Sequence, residues 1–114
     1  MSKELQKLMD EVSEWQHKTF ESVECVNIAE HLRLEAIELK EAIETDEDSV
    51  SPFKNTKLVG LEFADCLILL ASCAKKYGFT SDELIELAFH KLEINKKRTW
   101  GKQNEDGTYT HIEP

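Results

Sequence analysis

Apolar residues recur at helical spacing along most of this chain, with polar breaks between the periodic stretches. From about Lys3 to Phe20, residues Leu5, Leu8, Val12 and Trp15 fall on one stripe and predict a first helix. The segment ESVEC interrupts the pattern. A second periodic stretch starts near Asn27, where Asn27 and Glu30 have capping-box spacing, and continues to about Thr45. Its stripe is Ile28, Leu32, Leu39 and Ile43. TDEDSVSPFKN then reads as a polar loop marked by Pro52. A third helix is predicted over about Thr56–Tyr77, with Gly78 placed as its terminating residue. Thr80 and Glu83 open a fourth as T-x-x-E, predicted to end near Trp100–Gly101. The tail KQNEDGTYTHIEP carries an Asp-Gly turn and reads as a short hairpin or an extended arm. The prediction is an all-α, four-helix single domain over residues 1–114, with 99–114 as a C-terminal tail and mostly antiparallel neighbours.

The third helix is unusual. Its run LVGLEFADCLILLASCA is apolar in every direction around the axis, which predicts a helix surrounded by protein. Yet it carries Glu62 and Asp65, three residues apart. Leaving two carboxylates enclosed and unpaired costs several kcal/mol each, so a cation, a base or a shared proton must accompany them. The second helix repeats the motif: Glu35 falls in the middle of its apolar arc and Glu38 one turn on, nearer the edge beside Leu34. Each pair at i, i+3 lies on one side of its helix. Four converging carboxylates form an oxygen-rich cage of the kind hard divalent cations select. The competing reading pairs these acids with Lys or Arg from a neighbour, which would leave a non-catalytic helical interaction module. A di-iron bundle is a further rival, because Glu14-x-x-His17 matches its Glu-x-x-His string once. Neither acid-bearing helix has a His at i+3, and His17 sits outside the stripe of its own helix.

The fourth helix ends in cations. Its inner face, Leu84, Leu87 and Ala88, continues at helical spacing into Lys91, Asn95 and Arg98. Such a strip can hold phosphate oxygens, with Arg as a bidentate fork, or can neutralise the acids.

Charge and cysteine usage narrow the classes further. A formal net charge of −9, from 23 acidic and 14 basic side chains, disfavours binding to nucleic acid. The cysteines, Cys25, Cys66 and Cys73, match no zinc or redox spacing and read as reduced thiols. The N-terminus lacks a signal-peptide core, and the one long apolar run is short and acidic for a membrane span. A cytoplasmic protein with no membrane or nucleic-acid partner is expected.

Taken together, the E-x-x-E, E-x-x-D and K-x-x-x-N-x-x-R helices resemble the MazG-like all-α nucleoside triphosphate pyrophosphohydrolases. The stretches EWQHKTF, HLRLEAIEL, EFADCLILL and HKLEINKKRTWGK with DGTYTH are most similar to the dATP/dGTP pyrophosphohydrolase group, called MazZ-type in some phages. Leu34 departs from the pattern, since many relatives have a Glu before the second helix's acids. The resemblance implies hydrolysis of a nucleoside triphosphate, dATP or dGTP, to the monophosphate and pyrophosphate. It implies Mg²⁺, with Mn²⁺ as a substitute, held by Glu35, Glu38, Glu62 and Asp65, and Glu35 or Glu38 as the base for the attacking water. Lys91, Asn95 and Arg98 would hold the phosphates and the sugar. Trp15 and Phe20 are read as base-stacking or as core packing, and Gln16 or Asn27 as readers of the base edge. A homodimer or homotetramer is implied as well.

Overall fold

The computed structural model describes residues 2–47 and 56–112. It contains four helices: α1 (Lys3–Thr19), α2 (Cys25–Glu47), α3 (Thr56–Tyr77) and α4 (Ser81–Lys97). Two short strands follow, β1 (Thr99–Trp100) and β2 (His111–Ile112). The described residues are therefore almost entirely helical, as the periodicity predicts. The chain divides into two compact units, Met1–Asp82 and Glu83–Pro114.

In the first unit α3 packs against both α2 and α1. The helices α2 and α3 run antiparallel: Cys25 meets Cys73, while ten residues further along α2, Glu35 meets Glu62 and Asp65. The buried core is Met9, Val12, Ile28, Leu69 and Ala71, with the small hydroxyl of Ser72 also enclosed. Burying a side chain such as Met9 contributes roughly 1.5–3 kcal/mol. Polar contacts close the end of the unit. Ser81 Oγ donates to the carbonyl of Ser2 at 2.9 Å, and the Ser81 amide donates to Gln6 Oε1 at 2.8 Å. Beside them Lys75 donates to Asp10, which holds the Asp10 carboxyl below the usual carboxylate range, helped by Gln6.

Local chemistry sets the helix ends. Past Tyr77, Gly78 adopts φ 115, the Gly78 amide donates to Lys75 O, and Phe79 N–H reaches back to Ala74 O. That is a Schellman closure, the role the sequence assigns to Gly78. The start of α2 differs from prediction. The helix begins at Cys25, not near Asn27, because Asn27 is its third residue rather than its cap. Asn27 Oδ1 accepts the amide of Glu24 at 3.1 Å, the reach-back half of a capping box, while Glu30 is occupied by a two-pronged contact from Arg33. The first helix also presents a different face. Met9, Val12 and Gln16 are the buried line, and Trp15, placed on the predicted stripe, is 56% exposed.

The predicted enclosure of α3 is not met among the described residues of the first unit, where Leu58, Leu61, Phe63, Leu67 and Leu70 stay about half exposed. Two neighbouring helices cannot cover a helix that is apolar all round. Likewise the expected inner face of α4 is only partly covered, with Leu87 exposed and Leu84 half-buried.

In the second unit α4 stops at Lys97, short of the predicted Trp100–Gly101. The Trp100 indole N–H takes the carbonyl of Asn95 at 2.9 Å, and the Arg98 amide bonds the same carbonyl at 3.2 Å, closing the last turn. Thr99 then pairs with Ile112 and Trp100 with His111, so the tail is a hairpin. Asp106 and Gly107, at φ 89, form its predicted Asp-Gly turn; Asp106 accepts both the amide and the hydroxyl of Thr108.

Candidate active site

The acids on α2 and α3 come together. Carboxylate oxygens of Glu35, Glu62 and Asp65 all lie within 4.8 Å of one another. The antiparallel pairing of the helices and the i, i+3 spacing produce this convergence. Glu35 lies on the packed side of α2, its side chain only 17% exposed. Glu38 sits at the edge, exposed, and shares a hydrogen bond with Glu35. Glu62 is half-buried, and its Oε2 is buried without a hydrogen-bond partner. Asp65 is exposed, where the sequence predicts that both α3 acids are enclosed or face an internal cleft.

The electrostatics follow from crowding. Glu35 has its pKa raised, first by the hydrogen bond to Glu38, then by burial, then by the charges of Glu38 and Asp65. A proton held between two carboxyl groups is the cheapest way to relieve like charges in the absence of a cation. His31 pulls the other way. It lies one turn before Glu35, with Nε2 3.2 Å from Glu35 Oε1. Cys66 borders the cluster, and burial, reinforced by Glu35, Asp65 and Glu62, pushes its thiol up.

Among the described residues of the first unit, no Lys or Arg pairs with any of the four acids. The donor set fits a hard divalent cation: three convergent carboxylates, one orphaned buried oxygen, and a raised pKa that a cation would reverse. The di-iron rival fares worse, because Glu14 is an exposed partner of Lys18 and His17 is exposed on the same helix.

In the second unit Asn95 and Arg98 are joined, Arg98 Nη1 donating to Asn95 Oδ1 at 3.2 Å. Both are half-buried, and Lys91, one turn earlier, is exposed. In the first unit Trp15 and Phe20 meet edge to face, ring centroids 5.5 Å apart, and both are exposed, so neither is a core residue. Gln16 is buried and lines, with Phe20, His17, Cys25, Lys76 and Tyr77, a groove of about 850 Å³ at the α1–α2 junction. Asn27 is engaged in its helix cap. Sequence reasoning missed His31, although H-x-x-x-E spacing placed it one turn from Glu35 on the same side.

Comparison with known proteins supplies the class of this all-α fold with convergent carboxylates on an antiparallel helix pair, that of the nucleotide pyrophosphohydrolases. The family model for dATP/dGTP pyrophosphohydrolase matches residues 8–114, and the chain belongs to that family. It is a nucleoside triphosphate pyrophosphohydrolase of MazG-like fold. Among solved structures it is similar to the MazG-like pyrophosphohydrolase of cyanophage S-2L bound to dGDP and three catalytic Mn²⁺ ions per active site. That match has 26% identity and a TM-score of 0.65, covering 96% of this chain and 97% of the other. No curated protein matches the chain.

Proposed function

We propose that this enzyme hydrolyses dATP or dGTP to the monophosphate and pyrophosphate, using Mg²⁺ or Mn²⁺ held by Glu35, Glu38, Glu62 and Asp65. The observation that carries the reading is the meeting of Glu35, Glu62 and Asp65 within 4.8 Å around an orphaned Glu62 oxygen. The family and the nucleotide and Mn²⁺ of the cyanophage relative support the substrate class and the metal.

Bound divalent ions supply charge neutralisation for the triphosphate and a lowered pKa for attacking water. The residues do the rest. Glu62 and Asp65 supply fixed negative charge from α3. Glu35 or Glu38 takes the proton of the attacking water, whose oxygen bonds the α-phosphorus as the bond to the α,β-bridging oxygen breaks. Arg98, steadied by Asn95, offers a planar fork to phosphate oxygens, and Lys91 adds a point charge. Trp15 and Phe20 offer exposed ring faces for stacking a purine, and Gln16 an amide for its edge.

A homo-oligomer completes the proposal. The half-exposed Leu58, Leu61, Phe63, Leu67 and Leu70 of α3 form the apolar surface a second copy would cover. The reaction is expected in the cytoplasm, and no helix among the described residues is long and apolar enough to cross a membrane.

The decisive experiment incubates the protein and millimolar Mg²⁺ with a panel of deoxy- and ribonucleoside triphosphates and measures pyrophosphate. Release should be fastest with dATP or dGTP. Equal rates across all bases would remove the purine assignment, and no release from any nucleotide would remove the reaction.

A further inference from the structure

We infer that Cys25 and Cys73 form a reversible oxidation site, two thiols set to close into a disulfide that ties the first turn of α2 to the last turns of α3. The pairing rests on reciprocal contacts between helices. Cys25 Sγ lies 3.9 Å from the carbonyl oxygen of Cys73, and Cys73 Sγ lies 3.5 Å from the carbonyl oxygen of Cys25. Each sulfur thus reaches across the same gap to the other residue's backbone. These contacts set the two residues side by side on neighbouring helices, and a disulfide needs such neighbours, with Cα atoms within roughly 4.4–6.8 Å. Burial, reinforced by the neighbouring Cys25, pushes the Cys73 thiol up.

The site is accessible from one side. Cys25 lines the groove beside Gln16 and Phe20, at the opposite end of the α2–α3 pair from the acids. Cys25 is therefore the first sulfur a small oxidant meets. With a hydroperoxide as oxidant, the Cys25 sulfur attacks one peroxide oxygen, the O–O bond breaks, and the reduced alcohol or water leaves. Cys25 is then a sulfenic acid. The Cys73 sulfur displaces its hydroxyl group, which departs as water with the Cys73 proton. Two thiols and one hydroperoxide give one disulfide, one water, and one alcohol or second water. A dithiol reductant restores both thiols.

Cys66 is a built-in control. It lies two turns before Cys73 on the same helix, faces the acids, and contacts neither of the other cysteines in this way.

The test treats the reduced full-length protein with hydrogen peroxide, blocks remaining thiols with an alkylating reagent, and maps peptides without reduction. The expected result is an intramolecular Cys25–Cys73 peptide, lighter by the mass of two hydrogens, with Cys66 alkylated. Two of the three free thiols are lost. Dithiothreitol restores all three, and Cys25→Ser or Cys73→Ser abolishes the cross-link. Three alkylated cysteines after peroxide, over-oxidation of Cys25 without a cross-link, or only intermolecular disulfides would overturn the inference.

Discussion

At the scale of single residues, the site crowds carboxylates around Glu35, so that its neighbours and its burial work against its charge. Glu35 shares a hydrogen bond with Glu38, and its pKa is raised. A group raised in the folded state adds stability below its unfolded pKa and loses it as pH rises through the folded value. The metal-free protein should therefore lose melting temperature as pH climbs out of the ordinary Glu range through the raised pKa of Glu35. Asp10 has the opposite sign: its pKa is lowered by Lys75, so its contribution disappears as pH falls through that depressed value. Saturating Mn²⁺ should flatten the loss on the high-pH side. Melting curves across pH, with and without Mn²⁺, check both slopes, and an unchanged high-pH slope with metal would place the cation elsewhere.

Substitutions at the same acids probe them directly. Glu38→Ala and Asp65→Ala should abolish turnover while leaving the helical circular dichroism signal intact. Near-normal activity in either would remove that residue from the cage. Glu62→Gln should be as inactive yet no less stable without metal, since it exchanges a buried unpartnered charge for a neutral amide. His31 offers a finer measurement. His31→Leu should weaken Mn²⁺ binding by roughly tenfold or more through loss of the Glu35 contact, and His31→Gln should largely restore it. Calorimetric titration with Mn²⁺ alone provides the readout.

At the scale of elements, most of the architecture was legible because periodicity and punctuation agree. The bounds of α3 match the prediction, and Gly78 ends it for the stated reason. Replacing Gly78 with Ala should cost about 1–2 kcal/mol, read in a denaturant melt, because its φ of 115 is unfavourable for a residue with Cβ. What sequence did not show were contacts that reverse a residue's role. Asn27 has the composition of a cap but serves as the third residue of α2, because Glu24 holds the capping position. Trp15 has the hydropathy of a core residue, yet Gln16 takes the buried line, since only packing fixes the rotation of a short amphipathic helix. The end of α4 was over-extended because Trp100, a passable helix residue, instead folds its indole onto Asn95 and pairs with His111.

The acid pairs were legible as a site for a different reason. Uncompensated charge in an apolar run is expensive, so its presence signals chemistry. Their unequal exposure was not legible. Glu35 and Glu38 differ only by position on the helix arc, yet one is tucked against α3 and the other is open. The basic strip could be recognised as a strip; its internal Arg98–Asn95 bond could not, because side-chain torsions decide it.

At the scale of the whole molecule, a chain with a formal net charge of −9 nevertheless exposes several large apolar side chains on α3. Self-association would remove that surface from water. Phe63→Lys combined with Leu67→Lys should lower the mass seen by light scattering to that of one chain, about 13.1 kDa. Wild-type protein that already runs at that mass would sink the oligomer.

The carboxylates of Glu35, Glu62 and Asp65 come from helices that follow one another directly along the chain. The cation-gripping apparatus is thus written in one uninterrupted stretch, and its grammar is register. Lengthening the connection between Glu47 and Thr56 keeps both i, i+3 spacings, whereas deleting Ala36 would swing Glu38 by about 100° away from its partner. Homologues should accordingly vary freely in the joint and keep an unvarying count between the acids.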